Sequence, residues 1–176
     1  MNAKIIIDRF HVVRFCTQAM DDVRKSVQKK LPADQRCYFK RSRRLLLAHR
    51  DGLSDEDGDA LDVMLRFSDK LAQGYALKEA FYRFMAAPDR AEADRRLDFW
   101  LDACDLLRLP EFKPCRRMLR NWRNYILNAL DILLSNGFTE GCNNAINSLK
   151  RAYFGCQNFS LFRKRIRLSF SLHPNI

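Results

Sequence analysis

From residue 135 to the C-terminus the chain carries a single side-chain carboxylate, Glu140, set among amides and cations. If Thr139 caps a helix there, Asn143 and Asn144 lie one turn beyond Glu140, and the three side chains can converge on one ligand. On residue types alone a second reading stays open: an acid in a first turn simply stabilises the helix N-terminus, by about 0.3–1 kcal/mol. A second acid of interest is Asp8, which closes the apolar run Ala3-Lys4-Ile5-Ile6-Ile7. It reads either as a functional carboxylate at a strand end or as the N-cap of the helix that follows. His11 can pair with such a carboxylate or serve structurally at the strand-to-helix turn.

Cations are the other chemical resource. The formal net charge is +11 at pH 7, with 32 Lys and Arg against 21 Asp and Glu. The excess is uneven: residues 1–50 carry +9, residues 51–112 carry −7 and residues 113–176 carry +9. Two basic lobes around an acidic middle make a polyanion the first partner to consider, because Lys and Arg that neutralise phosphates drive sequence-independent binding. Arg41, Arg43, Arg44, Arg116, Arg117, Arg120, Arg123, Lys150, Arg151, Arg163, Lys164 and Arg165 are the candidates for contact with DNA. They would position a duplex through its phosphates more than read its bases. The other reading of each is a solvated positive face.

These residues need a scaffold, and the periodicity supplies an almost entirely α one. Ala3 to Ile7 is the one convincing strand signal, and a lone strand needs neighbours that these residues do not supply. After Asp8, the spacing of Val12, Cys16, Ala19, Val23, Val27 and Leu31 predicts an amphipathic helix closed by Pro32. A second helix is expected from Cys37 to Arg50. Ser54-Asp55-Glu56-Asp57 has the order of a capping box with Asp in place of Glu, and opens a helix through Leu61, Met64, Leu65 and Leu71. Gly74 reads as a break, followed by a stripe of Leu77, Ala80, Phe81 and Phe84 up to Pro88. Leu97, Trp100, Leu101 and Cys104 mark a further helix ending before Pro110. From Pro114, one helix is expected through Met118, Trp122, Ile126 and Leu133, with both tryptophans in the core. Thr139 then caps a helix through Ile146 and Leu149, and Asn158 caps a last one through Phe162 and Ile166.

Bulk properties narrow the class. A length of 176 residues with 47% hydrophobic content suffices to bury one core, and no low-complexity tract or internal repeat is evident. The 6 cysteines form no C-x-x-C pair and read as small buried hydrophobes rather than zinc ligands. With no signal-peptide pattern at the start, a reducing cytoplasm fits best. The apolar runs are far too short for a membrane span.

The motifs in order carry a resemblance. Asn136-Gly137, Glu140-Gly141, Asn143-Asn144, Ile146, Lys150-Arg151, Phe154-Gly155, Asn158-Phe159, Phe162-Arg163 and Arg165-Ile166 resemble the C-terminal signature of the ISL3 family of insertion-sequence transposases. Asp8-Arg9-Phe10-His11-Val12-Val13 is similar to that family's strand-end D-R-F-H-V motif. Departures are Asn147, where lysine is usual, and Gln157, where arginine is common; they bear on single phosphate contacts. The resemblance implies a mainly α portion of an RNase H-like DDE domain: a residual strand over 1–8, a helical insertion over 9–134, and a glutamate-bearing helix plus basic helix over 135–176. It makes Glu140 the third acid, with Asn143, Asn144 and His11 near the site. It also implies a pair of divalent ions, Mg²⁺ by its preference for oxygen ligands and phosphate, for cutting and joining DNA strands. Homo-oligomerisation and binding of transposon ends would follow. The family's two aspartates precede the D-R-F-H-V motif, so these 176 residues alone are expected to be inactive. The alternative from another class is a non-catalytic basic helical module that binds DNA.

Overall fold

The computed structural model describes residues 7–33, 35, 36, 39, 43–131, 137–153 and 158–172, without the side chains of 131, 137–140 and 172. Every regular element among them is helical, which bears out the mainly α expectation. The strand expected over residues 3–7 lies outside the described residues except for Ile7, which donates its N–H to the Tyr125 carbonyl at 3.4 Å. The chain divides into two compact units, Met1–Leu133 and Leu134–Ile176.

In the first unit, helix starts follow local capping chemistry. Asp8 accepts the Phe10 N–H at 3.0 Å and opens α1, Arg9–Gln28. A short α2, Arg43–Leu47, and a 3₁₀ turn, Arg50–Gly52, lead to Ser54. Ser54 accepts the Asp57 N–H at 3.3 Å and opens α3, Asp55–Arg66, whose first turn holds three acids at the positive end of the helix. Ser68 opens α4, Asp69–Met85, and Asp89 opens α5, Arg90–Leu107, through a 2.8 Å bond from the Glu92 N–H. A 3₁₀ turn, Pro110–Phe112, runs into α6, Lys113–Asn121, and α7 covers Arg123–Asp131.

Two breaks fall elsewhere than the sequence reading put them. One helix was expected through Leu71 with a stop at Gly74; instead the chain breaks at Phe67-Ser68, and Gly74 lies inside α4. A Cβ on Gly74 would meet the Val23 Cγ1 at 3.1 Å, so this glycine serves the close approach of α1 to α4. The helix expected from Pro114 to Leu133 is interrupted at Trp122, whose backbone leaves helical geometry at φ −112° and ψ 15°. Trp122 is 47% exposed, which corrects its assignment to the core.

The core forms where α4 packs between α1 and α5, with α3, α6 and α7 completing the shell. Met20, Val23, Leu71, Leu77, Phe81, Phe84, Leu97, Trp100, Phe112, Cys115 and Leu119 are buried there. Phe81 meets the Trp100 ring edge-to-face at 6.0 Å, and the indole N–H donates to the Leu77 carbonyl at 2.8 Å, so the one polar atom of the largest core side chain is satisfied. Cys16, Cys104 and Cys115 are buried free thiols, as small hydrophobes would be.

The second unit holds α8, Gly137–Ala152, and α9, Phe159–Leu172, which contact each other. Asn158 accepts the Leu161 N–H at 3.2 Å, the cap expected of it. Thr139 lies within α8 rather than before it, because the helix already starts at Gly137.

Candidate nucleic-acid interface

Most of the candidate DNA-contact cations of the first unit are taken up by its own acids. Arg43 donates to Asp21 at 3.2 Å, and Arg44 Nη2 donates to both Asp57 carboxylate oxygens, at 2.7 and 2.9 Å. Arg116 and Arg120 share Asp105, at 2.6 and 2.7 Å, one on each carboxylate oxygen. Arg123 bridges Asp94, at 2.7 Å, and Asp98, at 2.9 Å. The hydrogen bonds that Arg123 donates hold the Asp98 carboxyl below its ordinary pKa, and the accepting carboxylate raises the guanidinium's own. The acidic middle of the sequence is thus an internal counter-charge for the basic lobes beside it. Arg117 is exposed and has no carboxylate partner among the described residues. Arg41 lies outside the described residues.

The second unit differs. Lys150, Arg151, Arg163, Lys164, Arg165 and Arg167 are all exposed, and none has a carboxylate partner among the described residues. The local sequence explains this, since Glu140 is the one acid after residue 131. Arg165 lies with its guanidinium 4.0 Å from the Tyr153 ring centroid, which ties α9 to the end of α8 while leaving the charge uncompensated. Glu140 belongs to the first turn of α8; its side chain lies outside the described residues. Asn143 and Asn144 are exposed on the next turn.

Asp8 turns both carboxylate oxygens to its own helix: one takes the Phe10 N–H at 3.0 Å, and the other lies 3.3 Å from the His11 Nδ1. His11 is thereby placed at the entry to α1, 64% exposed. Among the described residues no three His, Cys, Asp or Glu side chains converge to hold a metal ion, so these residues do not by themselves fit a divalent-ion site. Among them, too, no helix is long and apolar enough to cross a membrane.

The sequence model of the ISL3-type DDE family, described as "Transposase", matches residues 1–166. The chain belongs to this family. The transposase for insertion sequence element IS1001 of Bordetella parapertussis is 28% identical over 171 residues, which cover 96% of this chain and 42% of that protein. The transposase for insertion sequence element IS1557 of Mycobacterium tuberculosis is 28% identical over 84% of this chain and 38% of its own length. The chain therefore spans about two fifths of the length of these curated relatives. No solved structure gives a significant match. Arg108 and Lys113 are two surface cations that the sequence reading did not single out. Both line one cleft with Arg116, and the left-handed backbone at Arg108 has no signal in residue type.

Proposed function

We propose that the chain carries the glutamate-bearing and helical portion of a DNA transposase, and that its Leu134–Ile176 unit contacts the phosphates of transposon-end DNA. The observation that carries this reading is the contrast in charge pairing. Arg43, Arg44, Arg116, Arg120 and Arg123 are each bound to an Asp, whereas the six exposed cations from Lys150 to Arg167 have, among the described residues, no carboxylate to release before meeting a phosphate. Family membership supports DNA as the partner.

In this reading Glu140 is the third acid of the catalytic set, with Asn143 and Asn144 beside it, while Asp8 and His11 organise the entry to α1. The two aspartates come from outside these 176 residues, as does the rest of the site for divalent ions, with Mg²⁺ the ion proposed. The glutamate-bearing and basic helices act as one element, residues 9–134 as a helical insertion after a residual strand over 1–8, and the working protein is a cytoplasmic oligomer.

The test is a duplex-binding titration of the chain over a series of salt concentrations. Lys150→Gln, Arg151→Gln, Lys164→Gln and Arg165→Gln combined should flatten the dependence of log affinity on log salt by about one unit per lost phosphate contact. Binding with no salt dependence would refute phosphate contact. In a Mg²⁺-dependent cleavage assay the isolated chain should leave DNA intact; cleavage that Glu140→Ala abolishes would show that the catalytic set is complete.

A further inference from the structure

A second cationic surface lies in the first unit, where cations outnumber the one acid beside them. The end of α5, the Pro110–Phe112 turn and the start of α6 enclose a cleft of about 500 Å³ lined by Cys104, Asp105, Arg108, Phe112, Lys113 and Arg116. A trough of about 260 Å³ along α6, lined by Lys113, Arg116, Arg117 and Arg120, shares two of those residues and continues it. Five cations therefore face this surface against one carboxylate, Asp105, which is divided between Arg116 and Arg120. Glu111, the nearest acid along the chain, is occupied by Lys70 at 2.5 Å. Arg108, Lys113 and Arg117 have no carboxylate partner among the described residues and are exposed. No side chain caps α6, and its first turn holds no acid, so the positive end of the helix adds to the same field.

Arg108 gives an independent sign that this surface is built for a ligand. It ends α5 at φ 50° and ψ 32°, donating its N–H to the Cys104 carbonyl at 3.0 Å. That left-handed position is where helices end on glycine, which adopts it freely, whereas a side chain is strained there. Arginine at a position that favours glycine points to a task for its side chain, and Arg108 lines the cleft.

We infer that this cleft and trough form a second binding surface for duplex DNA, seating a run of backbone phosphates along α6. From Lys113 to Arg120 the helix rises about 10 Å, over which one DNA strand presents about three phosphates. The inference rests on the DNA-handling reading above, and adds a site in the unit where most basic residues are spoken for.

The experiment is the same salt-series titration on the whole chain, with three variants. Arg108→Gly, Lys113→Gln and Arg117→Gln combined should flatten the slope by about 2–3 units. Arg108→Gly alone should raise the melting temperature, because it relieves the strained backbone, and yet weaken DNA binding; no folding defect can produce that pair of changes. Asp105→Asn, which releases Arg116 and Arg120, should tighten binding and steepen the slope. A triple variant with the wild-type slope, when the Lys150/Arg151/Lys164/Arg165 variant has lost affinity, would overturn the second site and leave the first standing. A wild-type chain that does not bind duplex at low salt would overturn both.

Discussion

Asp21 is the acid whose removal should cost the Met1–Leu133 unit most. It is 5% exposed and holds Arg24, itself 6% exposed, at 2.8 Å, with Lys25 at 3.0 Å and Arg43 at 3.2 Å. Lys25 and Arg43 stand half in water, so screening leaves each pair worth about 0–1 kcal/mol. Arg24 has no such relief: with Asp21→Asn, its buried charge would face only neutral acceptors among the described residues, the new amide oxygen and Gln28, at 2.7 Å. Stranding a buried charge costs about 3–5 kcal/mol, a large share of the 5–15 kcal/mol that holds a domain together. Urea unfolding followed by tryptophan emission reads the right unit, since both tryptophans lie in it. Removing both members, Asp21→Leu with Arg24→Met, should recover most of the loss, because apolar replacement of a buried pair is near neutral. The pH dependence gives a second handle. Burial alone would push the Asp21 carboxyl up, but hydrogen bonds from Arg24 and Lys25 outweigh it and hold the group below its usual value. Its folded pKa lies below its unfolded one, so its contribution is present above about pH 4 and is lost as the pH falls through the folded value. The Asn variant should lack that part of the acid-induced loss. A single variant within 1 kcal/mol of wild type, or a double variant no better than the single, would refute the assignment.

Two further predictions test how the helices are placed. Gly74→Ala gains about 1 kcal/mol of helix propensity, but its Cβ would press on Val23, which is fully buried and stiff about χ1. Overpacking at about 1–3 kcal/mol should win, lowering the midpoint of urea unfolding, whereas a stabilised variant would show that α1 can move away. Asp89→Ala removes the 2.8 Å cap on α5 and should cost about 1 kcal/mol in the same assay, with Asp89→Ser close to wild type.

Local chemistry made most helix starts legible. Asp8, Ser54 and Asn158 cap where their residue types and the following apolar spacing put them. Ser68 followed by Asp69 was an equally good start signal, but it lay inside an apolar period that runs on to Leu71, and Gly74 drew the break instead. What decides Gly74 is the approach of Val23, some fifty residues away along the chain, and no local pattern reports that. The same limit applies to the cations. Arg43, Arg44 and Arg123 look as free in sequence as Arg163 or Lys164, and only the fold brings Asp21, Asp57, Asp94 and Asp98 against them. Glu140 was singled out by its motif, and it lies in the first turn of α8.

Charge pairing also changes what the composition means. The formal +11 suggests a chain that is adhesive to polyanions all over, but the 15 acids between residues 51 and 112 are spent mostly at home. Each Asp that binds an Arg removes it from competition for phosphate, because the phosphate would have to replace a fork such as that of Arg50 on Asp62 at 2.7 and 2.8 Å. That fork holds the Asp62 carboxyl below its usual pKa, so the pair keeps its charge to a lower pH than a free carboxylate would. Effective attraction is thereby left to the cations with no carboxylate partner among the described residues: those of α8 and α9, those about α6, and scattered exposed ones such as Arg14 and Arg66. A DNA-binding slope far steeper than those surfaces allow would mean that the ion pairs open on binding, and the acids of the middle segment would then act as a gate on affinity instead of a fixed counter-charge.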